Sequence, residues 1–369
     1  MYRIEKAKET MTSRERVVRT FHYEKTDRVP IDYATNPTIH AKVSRALGIE
    51  PGRMEAFLQA LGVDSRGIHP TYTGKLLYKE VPGLDVNPVY GFYSRWVENP
   101  WGGYYDFCNF PLADADDDQI SAYPFPSPDD FDYDTAVDKI KYYKDLALYC
   151  GNMGMGDIIN SVGRLMNMEN VLVGLATENE AVLDLVDRKL AMELAILERV
   201  IEKSKGRIDF MWIGEDLGTQ HAPMISLDMY RRVLRPRHQK FIDLAKAYGL
   251  PVMVHTCGSS SWVYEDFIEM GVSAVDALQP EAANMSPEYL IAKFGKRLSF
   301  HGCISTAGPL AYGTAEETTQ YCKNILELMM KNGGYHFSPT HQIQDNTPVE
   351  NAIAMYKAAH TYGVYNEMT

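Results

Sequence analysis

Pro251–Gly258 reads PVMVHTCG. A Val- and Met-rich run between Pro251 and Gly258 has the pattern of a buried strand in a parallel sheet, apolar on both faces. Residues two apart in a strand point to the same side. His255 and Cys257 therefore project together from the end of this strand. An imidazole and a thiolate side by side make half of a zinc site.

The sequence on either side of this strand alternates between the two periodicities. Leu148–Met153, Ile208–Ile213, Ala274–Leu278, Leu298–His301 and Tyr335–Ser338 read as further strands. Helical spacing covers Glu178–Ser204, Leu227–Tyr248, Ser261–Met270, Pro287–Phe294, Ala315–Lys331 and Pro348–Tyr362. Upstream, helices are predicted over Phe131–Leu146 and Asp157–Asn167. Near the start, Thr12-Ser13-Arg14-Glu15 has the residues of a capped helix start. Val29–Tyr33 reads as a first strand, Thr38–Leu47 and Gly52–Leu61 as helices, and Val63–Tyr72 as extended. Strand–helix alternation over this length implies a parallel sheet with right-handed crossovers. About eight strands fit, so a (β/α)8 TIM barrel with N-terminal helices is expected, ahead of an open doubly wound sheet. No GxGxxG sits at a strand–helix turn, which counts against dinucleotide binding. Between about 74 and 123, crowded aromatic, Gly and Pro residues (YGFYSRWVENPWGGYYDFCNFPL) suggest a β-hairpin excursion.

Composition bounds the function. The chain has 369 residues, 45% hydrophobic and 23% charged, which is ordinary for a globular protein. Lys plus Arg is 37 and Asp plus Glu is 49, a formal net charge of −12. An acidic chain with no basic run is a poor nucleic-acid binder, because phosphates need clustered cations. There is no apolar run long enough to span a bilayer, and the first residues are charged, without a signal-peptide core. A cytoplasmic protein is expected. Cys108, Cys150, Cys257, Cys303 and Cys322 are odd in number and scattered, which points to reduced thiols.

In a barrel of this kind the active site lies at the C-terminal strand ends. Those ends carry Asp32 and Tyr33, Asp64 and His69, Asn152, Glu215 and Asp216, His255 and Cys257, Gln279 and Glu281, Cys303 and His341. Zinc takes three or four N, S or O ligands and keeps one position open in a catalytic site. His255, Cys257 and His341 make an open three-ligand set, with Glu281 as a displaceable fourth. Cys303 also reads as a small packing residue and ranks behind His341. Only one of the adjacent acids Glu215 and Asp216 faces inward. They read as general acid/base groups or, equally, as partners of the following helix and its Arg231, Arg232 and Arg235. Asp64, Asn152 and Gln279 are the candidates for cofactor contacts. Asn346–Asn351 reads only as a helix start, with Thr347 as cap and Pro348 at the first helical position.

Several blocks together resemble a known family. They are SRERVVRTFHYEKTDRVPIDY, ALGVD, GEDLGTQHAPMISLDMYRRVLRPRHQKFIDLAKAYGLPVMVHTCGS, FHGCIST and GGYHFSPTHQIQDNTPVENAIAMY. The chain is similar to the uroporphyrinogen decarboxylase superfamily, and within it to the corrinoid-dependent methyltransferase branch. The resemblance implies one TIM-barrel domain over 1–369. It implies zinc on His255 and Cys257, with His341 where the branch carries a late Cys. It also implies a corrinoid held by a partner protein, since the chain has no DxHxxG cobalamin motif. Decarboxylases of the superfamily carry an Arg-rich segment after the first strand, and here that stretch is Asp32-Tyr33-Ala34-Thr35-Asn36-Pro37. A polycarboxylate substrate needs a guanidinium clamp. The expected activity is methyl transfer between a small substrate or acceptor and the corrinoid. The alternatives are a metal-free decarboxylase using Asp64 and His341, and a non-catalytic tetrapyrrole carrier. Expected partners are the small molecule and the corrinoid protein, with a homodimer as a further expectation and neither nucleic acid nor membrane.

Overall fold

The chain is seen in a computed structural model that describes residues 1–365. Its twelve strands, in chain order, begin with β1 (Ser65–Gly67), β2 (Thr71–Tyr72), β3 (Asp85–Val86), β4 (Tyr93–Asn99), β5 (Gly102–Cys108) and β6 (Phe131–Asp132). They continue with β7 (Ala147–Gly151), β8 (Phe210–Gly214), β9 (Val252–Thr256), β10 (Ala274–Ala277), β11 (Ser299–Ile304) and β12 (Tyr335–Pro339). Seven of them form one parallel sheet in the order β1-β7-β8-β9-β10-β11-β12. This is an α/β sheet curled as a barrel with helices around it.

The predicted first strand is present but reduced to a seam between the two sheet edges. Ile31 bridges Phe337 of β12 in parallel. The Phe337 N–H donates to Pro30 O at 2.8 Å and the Asp32 N–H to Phe337 O at 2.9 Å. On the other side the Asp64 N–H donates to Ile31 O at 2.9 Å. Pro30 has no N–H to give to a ladder, which keeps this eighth stave short.

Strand alternation sorts the side chains. Val252, Val254 and Val275 face outward, into the core between sheet and helices. Ala147, Tyr149, Phe210, Trp212, Met253 and Ala274 fill the barrel interior. The helix Ser13–Phe21 supplies Val17 and Phe21 to that interior cluster and so plugs its N-terminal end. Thr12 and Glu15 form the expected capping box of that helix.

Asp64 lies at this plugged end, which corrects its placement among the strand-end candidates. It precedes β1 and is fully buried. Its carboxylate accepts from Arg16 Nη1 at 2.6 Å, Arg28 Nη1 at 2.7 Å, Ser13 Oγ at 2.6 Å and Ile31 N at 2.7 Å. Asp64 is therefore a structural ion-pair hub at the end opposite the mouth.

Two helical expectations change. Phe131–Leu146 is broken into β6, a turn of α-helix at Asp134–Asp138 and a 3-10 turn at Lys139–Tyr142. Arg207 then takes the carbonyls of Tyr143, Lys144 and Leu146, which ends the helix there. The helix Ile159–Met166 stops at Asn167, whose φ is 65°. Its side chain accepts from Asn170 N and starts a second helix, Met168–Ala176. In the helical stretch from Leu227 to Ala247, Pro236 lacks a donor, and a π turn spans Tyr230–Leu234 just before it.

Strands β3, β4 and β5 form an antiparallel sheet built around the Tyr93–Cys108 hairpin. Asn99 Oδ1 accepts from Trp101 N and Gly102 N and closes the hairpin turn. The hairpin is tied to the C-terminal strand ends by Gly103 N donating to Asp345 Oδ2 at 3.2 Å and Lys42 Nζ donating to Trp101 O at 2.9 Å. No helix among the described residues is long and apolar enough to cross a membrane.

Candidate metal centre

The parity of β8 and β9 builds the site. Phe210 and Trp212 point into the barrel, so Glu215 points out and Asp216, just beyond β8, points in. On β9, Met253 points in, and so do His255 and Cys257. The three inward groups meet: one ligand atom each from Asp216, His255 and Cys257 lies within 4.8 Å of the others. His255 Nε2 stands 3.3 Å from Cys257 Sγ and 3.6 Å from Asp216 Oδ1. The Cys257 N–H donates to Asp216 Oδ1 at 2.8 Å, and Asn160 Nδ2 donates to Asp216 Oδ2 at 2.7 Å, which fixes the carboxylate.

Behind the imidazole runs a buried chain of partners. His255 Nδ1–H donates to Asp276 Oδ2 at 2.6 Å, and His301 Nδ1–H donates to Asp276 Oδ1 at 2.5 Å. His301 Nε2–H donates to Asp32 Oδ2 at 3.1 Å. With Nδ1 committed to a carboxylate, Nε2 is the nitrogen left for a ligand, the arrangement of histidines that hold metals. Burial disfavours a charged His255, but the Asp276 carboxylate and the Cys257 sulfur together pull its pKa well above the ordinary range. Burial also pushes the Cys257 thiol up, against the pull of His255. Asp276 is buried too, and the two histidines hold it well below the usual carboxylate range. His301 is pulled up to about 9 by Asp276 and Asp32, against burial.

An Asp, a His and a Cys held this close, with the His braced from behind, suit Zn²⁺. They open onto a mouth cavity of about 730 Å³, also lined by Trp96, Tyr105, Phe107, Arg164 and His341. Below it lies a smaller cavity of about 50 Å³ lined by Asp32, Trp212, His255, Asp276 and His301.

The structure redistributes the expected site residues. Asp216, read as an acid/base group, is the third metal-capable side chain within 4.8 Å of His255 and Cys257, and His341 lies outside that cluster. His341 is exposed on the wall of both cavities, with its Nδ1 accepting from Gln344 Nε2 at 3.3 Å. It follows β12 in a loop, where strand parity no longer sets direction. Glu281 turns away to accept from Ser305 Oγ. Cys303 is fully buried in the outer core, with φ at 66° beside Gly302 at 111°. Glu215 is buried behind the sheet, accepting from Ile158 N at 2.8 Å and Ile159 N at 3.0 Å beside His238. It braces a helix start and does not reach the cavity. Gln279 Oε1 accepts from Gly258 N at 2.7 Å and so shapes the loop that follows Cys257. Asn152 lines the mouth cavity, its Oδ1 engaged by Gly154 N.

Asp276 and His301 were absent from the sequence candidates. Their signal lay mid-strand, as polar residues at inward positions of the apolar runs SAVDAL and SFHGC. A titratable group there needs a buried partner.

A barrel with a cluster of metal-capable side chains at its mouth defines a TIM-barrel enzyme class. The profile of uroporphyrinogen decarboxylase (URO-D) matches residues 161–362, more than half of the chain, and the chain belongs to that family. No curated protein matches it. Among solved structures, a methyltransferase from Methanosarcina mazei is similar over 95% of this chain and 98% of its own, with a TM-score of 0.62 and 16% identity. At that identity the likeness is one of fold.

Proposed function

We propose that this member of the URO-D family is a zinc-dependent methyltransferase that exchanges a methyl group between a small substrate and a corrinoid carried by a partner protein. The observation that carries the reading is the convergence of Asp216, His255 and Cys257 within 4.8 Å at the open end of the barrel. Bound zinc would supply Lewis acidity to the heteroatom that carries or receives the methyl group.

The chain's own residues prepare that site. Asp276 orients His255 and leaves Nε2 facing Cys257. His301 holds Asp276 from the other side and is itself held by Asp32. Asn160 and the Cys257 N–H hold Asp216. The aromatic β4–β5 hairpin walls the cavity on one side. The alternative metal-free decarboxylase loses support, because Asp64 sits in the ion-pair hub at the far end of the barrel. The segment Asp32–Pro37 also offers no guanidinium for a polycarboxylate.

The test is metal analysis of the purified protein beside a His255→Ala, Cys257→Ala double variant. About one zinc per chain is expected in the parent, with loss of the metal in the variant. Equal zinc content in both overturns the reading. Conversion of uroporphyrinogen to coproporphyrinogen by the parent would do the same.

A further inference from the structure

We infer that Arg164 is an anion subsite and that the substrate is a flat molecule bearing a carboxylate. The inference rests on the methyl-transfer reading for the methyl group alone. The anion contact is argued independently of the metal.

Burying a guanidinium without a counter-charge is costly, and this chain avoids it elsewhere. Among the described residues, every other arginine that is not fully exposed pairs with a carboxylate, as Arg16, Arg28, Arg66, Arg188, Arg199, Arg207, Arg235 and Arg237 do. Arg164 is half-buried, yet among the described residues it has neither an ion pair nor a side-chain hydrogen bond. Its guanidinium carbon lies 4.3 Å from the centroid of the Phe107 ring and 5.6 Å from that of Phe92. Those rings attract the cation but replace no carboxylate, so its N–H edge is left without a partner among the described residues.

That edge borders the mouth cavity, where Arg164 is the sole Arg or Lys. The two acids lining the cavity are already engaged. Asp216 holds Asn160 and the Cys257 N–H. Asp157 accepts from Asn160 N and Ser161 N at the start of the helix Ile159–Met166. Burial and nearby Glu215 raise the Asp157 pKa to about 8, outweighing the Arg164 charge that lowers it. Near neutral pH Asp157 is therefore largely protonated, and a ligand anion is left to supply the counter-charge. Asn160 and Arg164 are four residues apart on that helix, so they share a face about one turn, or roughly 6 Å, apart. A ligand whose reactive end lies near Asp216 would reach Arg164 with a group across one ring. Trp96, Tyr104, Tyr105 and Phe107 line the same cavity and suit a flat apolar body. A planar carboxylate matches the fork bidentately.

The experiment is calorimetric titration of the full chain with three probes of one shape: 4-methoxybenzoate, the neutral 4-methoxybenzamide and 4-methoxyphenyl phosphate. The carboxylate is expected to bind at least about tenfold more tightly than the amide. Arg164→Gln should weaken carboxylate binding about 10- to 100-fold, leave amide binding within about twofold, and erase the preference. Arg164→Lys should restore part of it. Amide binding in each variant reports that the cavity is intact. The inference is overturned if the parent binds carboxylate and amide alike, if Arg164→Gln leaves carboxylate affinity unchanged, or if the phosphate is the tightest of the three. The same titration on the His255→Ala, Cys257→Ala variant separates the two proposals. A carboxylate preference that persists there supports the subsite whatever the zinc analysis returns.

Discussion

His255 is braced before any metal arrives, because Asp276 accepts its Nδ1–H at 2.6 Å. Removing such a partner from a metal-bound histidine typically weakens metal affinity 10- to 100-fold. Asp276→Asn is therefore expected to raise the zinc dissociation constant by that factor, read by competition with a chromophoric chelator. An unchanged constant would mean that Asp276 plays no part in holding the metal. At this scale the sequence was legible wherever a strand imposed parity. His255 and Cys257 could be paired by counting two, and one of Glu215 and Asp216 had to face inward. Parity from Phe210 would have chosen Asp216. His341 and Glu281 lie in loops beyond strand ends, where no period fixes direction; His341 lines the cavity wall outside the cluster, and Glu281 turns to Ser305.

The loops that carry the candidate ligands Asp216 and Cys257 are held by close backbone approach. Gly258 follows Cys257 with φ at 70°, and a Cβ there would collide with the backbone of Gly218 and Thr219 in the loop after Asp216. A side chain at that position therefore strains one loop and is expected to push the candidate ligands Cys257 and Asp216 apart. Gly258→Ala is expected to lower bound zinc and to destabilise the fold by about 1–3 kcal/mol. Metal content and the urea unfolding midpoint would both report it, and a variant with parental values for both would refute the packing argument. The strands and most helices were readable because apolar periodicity and caps mark them. Phe131–Leu146 was misread because its ending is set by Arg207, more than sixty residues away in sequence, and no local pattern contains that contact. Asn167 likewise splits a helical region through a positive φ that composition does not announce.

For the molecule as a whole, buried charges and buried neutral histidines set the pH range of stability. His336 is buried, and burial together with nearby His301 lowers its pKa to about 3. The unfolded chain binds a proton there near pH 6.5, while the folded chain resists it until about pH 3. The contribution of His336 is thus full above about pH 6.5 and falls as pH drops below it, whereas that of His301, pulled up to about 9, is full below about pH 6.5 and lost as pH rises toward 9. Asp64 acts in the same direction as His336, at lower pH. It is buried, but Arg28 and Arg16 hold it below the usual carboxylate range, so its contribution is lost only as pH falls below about 4. On the acid side the urea midpoint should therefore fall as pH drops below about 6.5, and His336→Phe should flatten the decline between about pH 6.5 and 4.5. Identical pH profiles for parent and variant would exclude His336 as the source.

The seam at Pro30–Asp32 closes the ring with three backbone hydrogen bonds, two to Phe337 and one from Asp64. Asp32, the last residue of that seam, is also the terminal acceptor in the chain that runs through His301 and Asp276 to His255. Any opening of this wall would therefore reach the site through Asp32. Were this stave to lift, His301 would lose Asp32 and with it the outer anchor of the chain that holds Asp276 and, through it, the imidazole facing Cys257. The joint that closes the cylinder is in this way also the one that anchors the candidate site, so that a change at Asp32 bears on both.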